Sequence, residues 1–215
     1  MAPMMTWHLD VLPPVQRDLW ESRIKNGFPG WVLYEGTALA LRLGHRESVD
    51  FDFFSNNPLE PLTFKSEMAL SGEVLQANKN TLTLIHQGVK LSFFGGLSLK
   101  VISPPDHLEQ CAVAALDDLG ACKLAALVNR VELKDFLDVL ALIRHGIPLA
   151  HLLGCATAVY RGEFPVVPCL KSLTWFEDPK LKGLPDTDRK LLETAALSVV
   201  EIPLIPTQPF TVGNH

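Results

Sequence analysis

The stretch Leu33–Ser55, LYEGTALALRLGHRESVDFDFFS, decides the reading of this chain. Its end, Val49–Phe54, is an apolar run carrying Asp50 and Asp52. Side chains at i and i+2 of a strand lie on one face, so the two acids point one way and Phe51 and Phe53 the other. Paired carboxylates repel unless a proton or cation sits between them. A hard divalent cation such as Mg2+ suits oxygen ligands at this spacing and usually brings substrate phosphates with it. An edge strand with two solvated acids gives the same tripeptide, so the residues in front must decide. Trp31–Tyr34 reads as a short buried strand. Gly36 allows a tight turn. Thr37–Leu43, rich in Ala and Leu, fits a helix that Gly44 stops. A helix starting at Gly36–Thr37 presents free backbone N–H groups, which attract phosphate. The order is strand, glycine turn, helix, then a strand with two acids.

Outside this stretch the chain is that of an ordinary folded protein. Of its 215 residues, 47% are hydrophobic and 20% charged, which predicts a substantial core and excludes wholesale disorder. The formal net charge of −5 excludes a broad basic surface for nucleic acid, so RNA contact is expected only through a local patch. Cys111, Cys122, Cys155 and Cys169 have no metal-ligand spacing and read as reduced thiols of a cytoplasmic protein. The seven histidines show neither HxH nor HExxH spacing. The N-terminal residues lack the pattern of a signal peptide, and no apolar run has the length of a membrane span.

Along the chain, Pro13-Pro14 opens a helix to Asn26, with Val15, Leu19 and Ile24 as its apolar positions. Pro58–Leu70 reads as a helix beside the acidic strand. Glu73–Ala77, Thr81–His86 and Val89–Phe94 read as antiparallel strands turned at Asn78–Asn80 and Gln87-Gly88. Ser98–Ser103 reads as one more strand. From Asp117 to His145 the pattern is helical, and on an uninterrupted helix Lys123 and Arg130 share a face. Lys134 and Asp138 read as a solvated i,i+4 pair. Helices follow at Ala150–Arg161 and Thr187–Val200, then an extended proline-rich tail.

The order of elements in the opening stretch resembles the nucleotidyltransferase superfamily, whose signature is a Gly-Gly or Gly-Ser turn followed by Asp-x-Asp/Glu. The closer resemblance is to the AbiEii/AbiGii toxin family, which reads GGTALAL, then GHR-x-S-x-D-x-DFF. This chain has EGTALAL, GHRES and VDFDFF, with Glu35 where the family usually has its first glycine. Lys123, Arg130, Lys134 and Asp135 match a second family segment, and LTWFEDP is similar to a third, so the resemblance covers about residues 15–200.

The fold expected is α+β: a small mixed nucleotidyltransferase sheet with flanking helices over residues 1–105, packed against a helical half, 106–215, that closes the cleft. The resemblance implies Mg2+-dependent transfer of a nucleotide from an NTP to an acceptor. Asp50 and Asp52 are the implied metal ligands and, with Lys123 and Asp135, the implied catalytic residues. Gly36, Thr37, Arg46, Ser48, Lys123 and Arg130 are the implied nucleotide-binding residues. In the superfamily a third carboxylate usually occupies the position that Ser92 holds here, and a serine hydroxyl is a poor base near neutral pH. The implied acceptor is RNA, notably the 3′ end of tRNA, and the implied partner is a separately encoded antitoxin. Two alternatives fit the same residues: a nucleotide-binding or partner-binding protein with little catalysis, and a small-molecule nucleotidyltransferase.

Overall fold

The computed structural model describes residues 6–210; the first residues of the N-terminal segment and residues 211–215 of the expected extended tail lie outside the described residues. The chain forms two units. One comprises residues up to Lys100 together with Pro104–Ala115, the other Val101–Ser103 with Leu116–Gln208.

The first unit is built on a seven-stranded sheet of order β3-β4-β5-β2-β1-β8-β7. After α1 (Pro14–Ser22) come β1 (Val32–Tyr34), α2 (Glu35–Leu43), β2 (Asp50–Phe54), α3 (Pro61–Glu67), β3 (Glu73–Asn78), β4 (Thr81–His86) and β5 (Val89–Phe94). β6 (Lys100–Val101) lies outside this sheet, which β7 (Asp106–Leu108) and β8 (Cys111–Val113) complete. β2 pairs parallel with β5 and β1 parallel with β8; the other pairings are antiparallel. The β4–β5 turn is the two-residue kind that matches strand twist: Gln87 and Gly88 both have positive φ, 50° and 82°.

β2 alternates as its sequence requires. Phe51 and Phe53 are fully buried while Asp50, Asp52 and Phe54 are partly exposed. Phe53 stacks on Phe93 at 5.2 Å, and Phe28, Trp31 and Phe64 meet the Phe93 ring at 5.0, 5.4 and 4.9 Å. Trp20 of α1 lies 6.3 Å from Phe51. At about 1.5–3 kcal/mol for each fully buried ring, this cluster holds the sheet's inner face. It also fixes the register, since a one-residue slip of β2 drives both acids into the aromatic core.

Details differ from the periodicity. The buried face of α1 is Gln16, Leu19 and Trp20, with Val15 half exposed. Gln16 Nε2 donates to the Val49 carbonyl at 2.8 Å, so β2 begins only at Asp50. The expected Pro58–Leu70 helix shortens to seven residues, and the Ser98–Ser103 strand to Lys100–Val101. Residues 106–113 form the β7–β8 hairpin at the sheet edge, and the helical unit starts at Leu116.

The second unit contains α4 (Leu116–Asn129), α5 (Leu133–Arg144), α6 (Leu149–Val159), α7 (Val166–Thr174) and α8 (Asp186–Leu197). The helix read as continuous to His145 breaks at Arg130–Glu132, where Asp135 N–H turns to the Glu132 carbonyl. α7 tolerates Pro168 because it sits in the first turn, where a missing N–H leaves no helical bond unmade. α4 and α6 approach closely at Gly120: a Cβ there meets Leu152 Cδ2 at 2.5 Å. Phe176 packs within this unit, 6.4 Å from Phe136. No single helix among the described residues is long and apolar enough to cross a membrane, and Cys111, Cys122, Cys155 and Cys169 are buried and form no disulfide.

Candidate active site

In the sheet unit the chain runs from β1 directly into α2. The residue that makes the turn is Glu35, whose φ of 59° is the left-handed conformation glycine favours. Gly36 has a different reason to be glycine: a Cβ on it meets Arg46 Nη2 at 2.4 Å and Ser48 Oγ at 3.6 Å. Arg46 and Ser48 therefore lie over the first turn of α2. The next residue joins them, because Thr37 Oγ1 shares a 2.7 Å hydrogen bond with Ser48 Oγ and also donates to the Asp50 carbonyl. Thr37 and Ser48 are buried, so they brace the entry of β2 against α2. Gly36, Thr37, Arg46, Ser48 and Asp50 are thus brought together. Sequence reasoning missed the anchor of α2, Arg42. Buried at 6% exposure, it donates from Nε to the Ala114 carbonyl at 2.6 Å and from Nη2 to the Val113 carbonyl and the Asp106 carboxylate, both at 2.9 Å. Its signal was an arginine inside the apolar run TALALRL.

Across the parallel β2–β5 pair, Asp50 stands opposite Lys90 and Asp52 opposite Ser92. This register puts Ser92 beside the acids, where the superfamily resemblance expects a third carboxylate. Lys90 Nζ lies 3.1 Å from Asp50 Oδ2. Burial, then the Asp50 charge, raise the Asp52 carboxyl to about 6; a hydrogen bond from Ser92 and the Lys90 charge lower it, while the Glu35 charge adds to the rise. A desolvated carboxyl held beside another acid is an environment that favours a bound cation, and the donor set is all oxygen. Asp50 and Asp52 therefore fit a hard divalent ion such as Mg2+.

These charges have a measurable consequence. An unfolded aspartate titrates near ~3.9. Between about pH 4 and 6 the native chain holds a proton on Asp52 that the unfolded chain has lost, so this group makes stability fall as pH rises through that window and levels off above it. In metal-free urea melts, wild type should show that decline relative to Asp52→Asn, which removes it. Glu35→Gly relieves both the positive φ and one repelling charge, and should gain about 1 kcal/mol near neutral pH while lowering the Asp52 pKa. An unchanged midpoint in Glu35→Gly would remove Glu35 as a source of strain.

In the helical unit Lys123 of α4 is fully enclosed. Its Nζ lies 3.5 Å from Asp135 Oδ1 and 3.2 Å from Asp138 Oδ2, and both aspartates have no exposed side-chain surface. Asp138, read from the sequence as solvated, is thus a buried partner of Lys123, while Lys134 alone remains exposed. Arg130, in the α4–α5 link, donates from Nε to Asp135 Oδ2 at 2.8 Å and from Nη2 to Asp135 Oδ1 at 3.2 Å. Its side chain is 47% exposed. Both oxygens of Asp135 are taken by these two cations, which makes it a holder of Lys123 and Arg130.

The family model described as nucleotidyl transferase AbiEii toxin, Type IV TA system, matches residues 18–195. An uncharacterized protein of Aquifex aeolicus (strain VF5) is 32% identical over 173 residues, covering 77% of this chain and 83% of that protein. A match spanning α1 to α8, including the acid pair and the turn before α2, leaves one assignment: the chain belongs to the AbiEii nucleotidyl transferase toxin family of Type IV toxin–antitoxin systems.

Proposed function

We propose that this protein transfers a nucleotide from an NTP to the 3′ end of an RNA, with tRNA as the first acceptor to test, and that a separately encoded antitoxin restrains it. The observation that supports this reading is the pair Asp50 and Asp52 on one face of β2, whose entry Thr37 and Ser48 brace against the first turn of α2. In this reading Asp50 and Asp52 hold Mg2+, which when bound neutralises and orients the triphosphate. The chain's own part is positioning. The N–H groups at the start of α2 and the Arg46 guanidinium, packed over Gly36, receive phosphate oxygens. Thr37 and Ser48 fix the distance from that turn to Asp50. Lys90, whose Nζ lies 3.1 Å from Asp50 Oδ2, would be a cation beside the site for the leaving pyrophosphate. Arg130, held half exposed by Asp135, offers a further cation, whereas Lys123 secures that arrangement from within.

The test is incubation with each labelled NTP, Mg2+ and total RNA. Label should enter RNA with one NTP favoured, and EDTA should stop it. The same NTP with Mg2+ should raise the melting temperature as its concentration passes the dissociation constant. No label and no thermal shift with any of the four NTPs would end this reading. A shift without label in RNA points to the second reading, a nucleotide-binding protein with little catalysis, which Ser92 in the third-carboxylate position favours.

A further inference from the structure

The helical unit holds a group of metal-ligating side chains that the acid pair of β2 does not involve. Asp117 opens α4, and His151 and Cys155 stand four residues apart on one face of α6. The close approach of α4 and α6 at Gly120 brings these faces together. His151 Nε2 lies 3.0 Å from Asp117 Oδ1, and one ligand atom from each of the three residues falls within 4.8 Å of the others. The neighbouring Asp118 is spoken for, since its carboxylate accepts the N–H groups of Ile102 and Ser103 at 2.8 and 3.2 Å. The geometry points to a Zn2+ site formed by Asp117, His151 and Cys155, a clip between α4 and α6 with a fourth coordination position open to water or an outside ligand.

Chemistry and size both favour this ion. One thiolate, one imidazole and one carboxylate make the mixed soft and borderline set that zinc accepts, and magnesium or calcium does not. Tetrahedral zinc places such donors ~3.3–3.6 Å apart. Reaching that range needs the three ligand atoms, within 4.8 Å of one another, to draw together and the 3.0 Å His151–Asp117 contact to open slightly. The side chains of Asp117 and His151 are 27% and 34% exposed, which gives the ion a way in. Cys155 is fully buried, and burial first, then Asp117 and Asp118, push its thiol up to about 12. It is therefore no free nucleophile. A bound cation reverses that preference, and the thiol gives its proton to solvent as the metal–sulfur bond forms.

Co2+ is the probe, because a thiolate ligand gives it a near-ultraviolet charge-transfer band and tetrahedral coordination gives it intense visible bands. Titrating the purified full chain with Co2+ should produce both. Zn2+ should abolish them by displacement and raise the melting temperature. Cys155→Ser should lose the charge-transfer band. His151→Gln, at a partly exposed position, should weaken binding of both ions at least tenfold without loss of fold, so it serves where Cys155→Ser folds poorly. The acid pair of β2 lacks sulfur and cannot produce the thiolate band. A titration without that band, a band unchanged in Cys155→Ser, or unaltered affinity in His151→Gln would overturn the site.

Discussion

Asp50→Asn and Asp52→Asn should each lower nucleotide transfer at least about a hundredfold, a loss of roughly 2.7 kcal/mol of transition-state stabilisation, while the protein stays folded. Both side chains lie on the face of β2 away from the aromatic cluster, so neither substitution removes core packing. The two variants should differ in metal-free stability. Asp52→Asn removes the desolvated, raised carboxyl and should be at least as stable as wild type near neutral pH. Asp50→Asn breaks the contact with Lys90, whose side chain is 43% exposed, and so costs little. Transfer rates with saturating NTP and Mg2+, read beside urea midpoints, separate chemistry from folding. Near-wild-type transfer in either variant would place the metal elsewhere.

The sheet unit was largely legible because its signals are local. DFDFF announces its two faces and Gln87-Gly88 announces the β4–β5 turn, while the parallel β2–β5 pairing sets Asp52 opposite Ser92. The turn before α2 was assigned to Gly36 because only a glycine is expected there, yet Glu35 adopts the left-handed φ. Its signal lay in the resemblance, where Glu35 stands in place of the family's usual first glycine. The β7–β8 hairpin was missed because DHLEQCAV has two three-residue strands and no glycine or proline turn, with Glu109 at φ 57° instead. The break after Asn129 was missed for a related reason: Arg130, Val131 and Glu132 contain no breaker. His151 and Cys155 carry no signal in histidine spacing or cysteine spacing taken alone, because they form a mixed i,i+4 pair on one face of α6. The buried ions had a signal. Lys123 stands between Leu119 and Leu127 at i±4, and Asp135 shares its stripe with Val139 and Leu142, so each charge lies in an apolar row.

Lys123→Met should cost about 3–5 kcal/mol of stability, a large share of the ~5–15 kcal/mol that holds a typical protein together. The reason is asymmetry. With its surroundings intact, the Lys123 ammonium offsets two carboxylates that have no exposed surface. Methionine fills a similar volume but leaves Asp135 and Asp138 buried without that charge, and Arg130 engages Asp135. Removing one of those charges as well should therefore recover part of the loss. In urea melts, Lys123→Met/Asp138→Asn should be more stable than Lys123→Met, and the non-additivity measures the pair. The same experiment assigns the role of Lys123 in transfer. If Lys123→Met loses transfer and stability together, and the double variant regains both, the lysine acts by holding the Arg130–Asp135 arrangement. If Lys123→Met keeps the wild-type midpoint yet loses transfer, the ammonium acts on the nucleotide, and the buried ion cluster is not what stabilises this unit. Asp135→Asn belongs in the series, because a fall in its rate points to positioning only where its midpoint shows the fold retained.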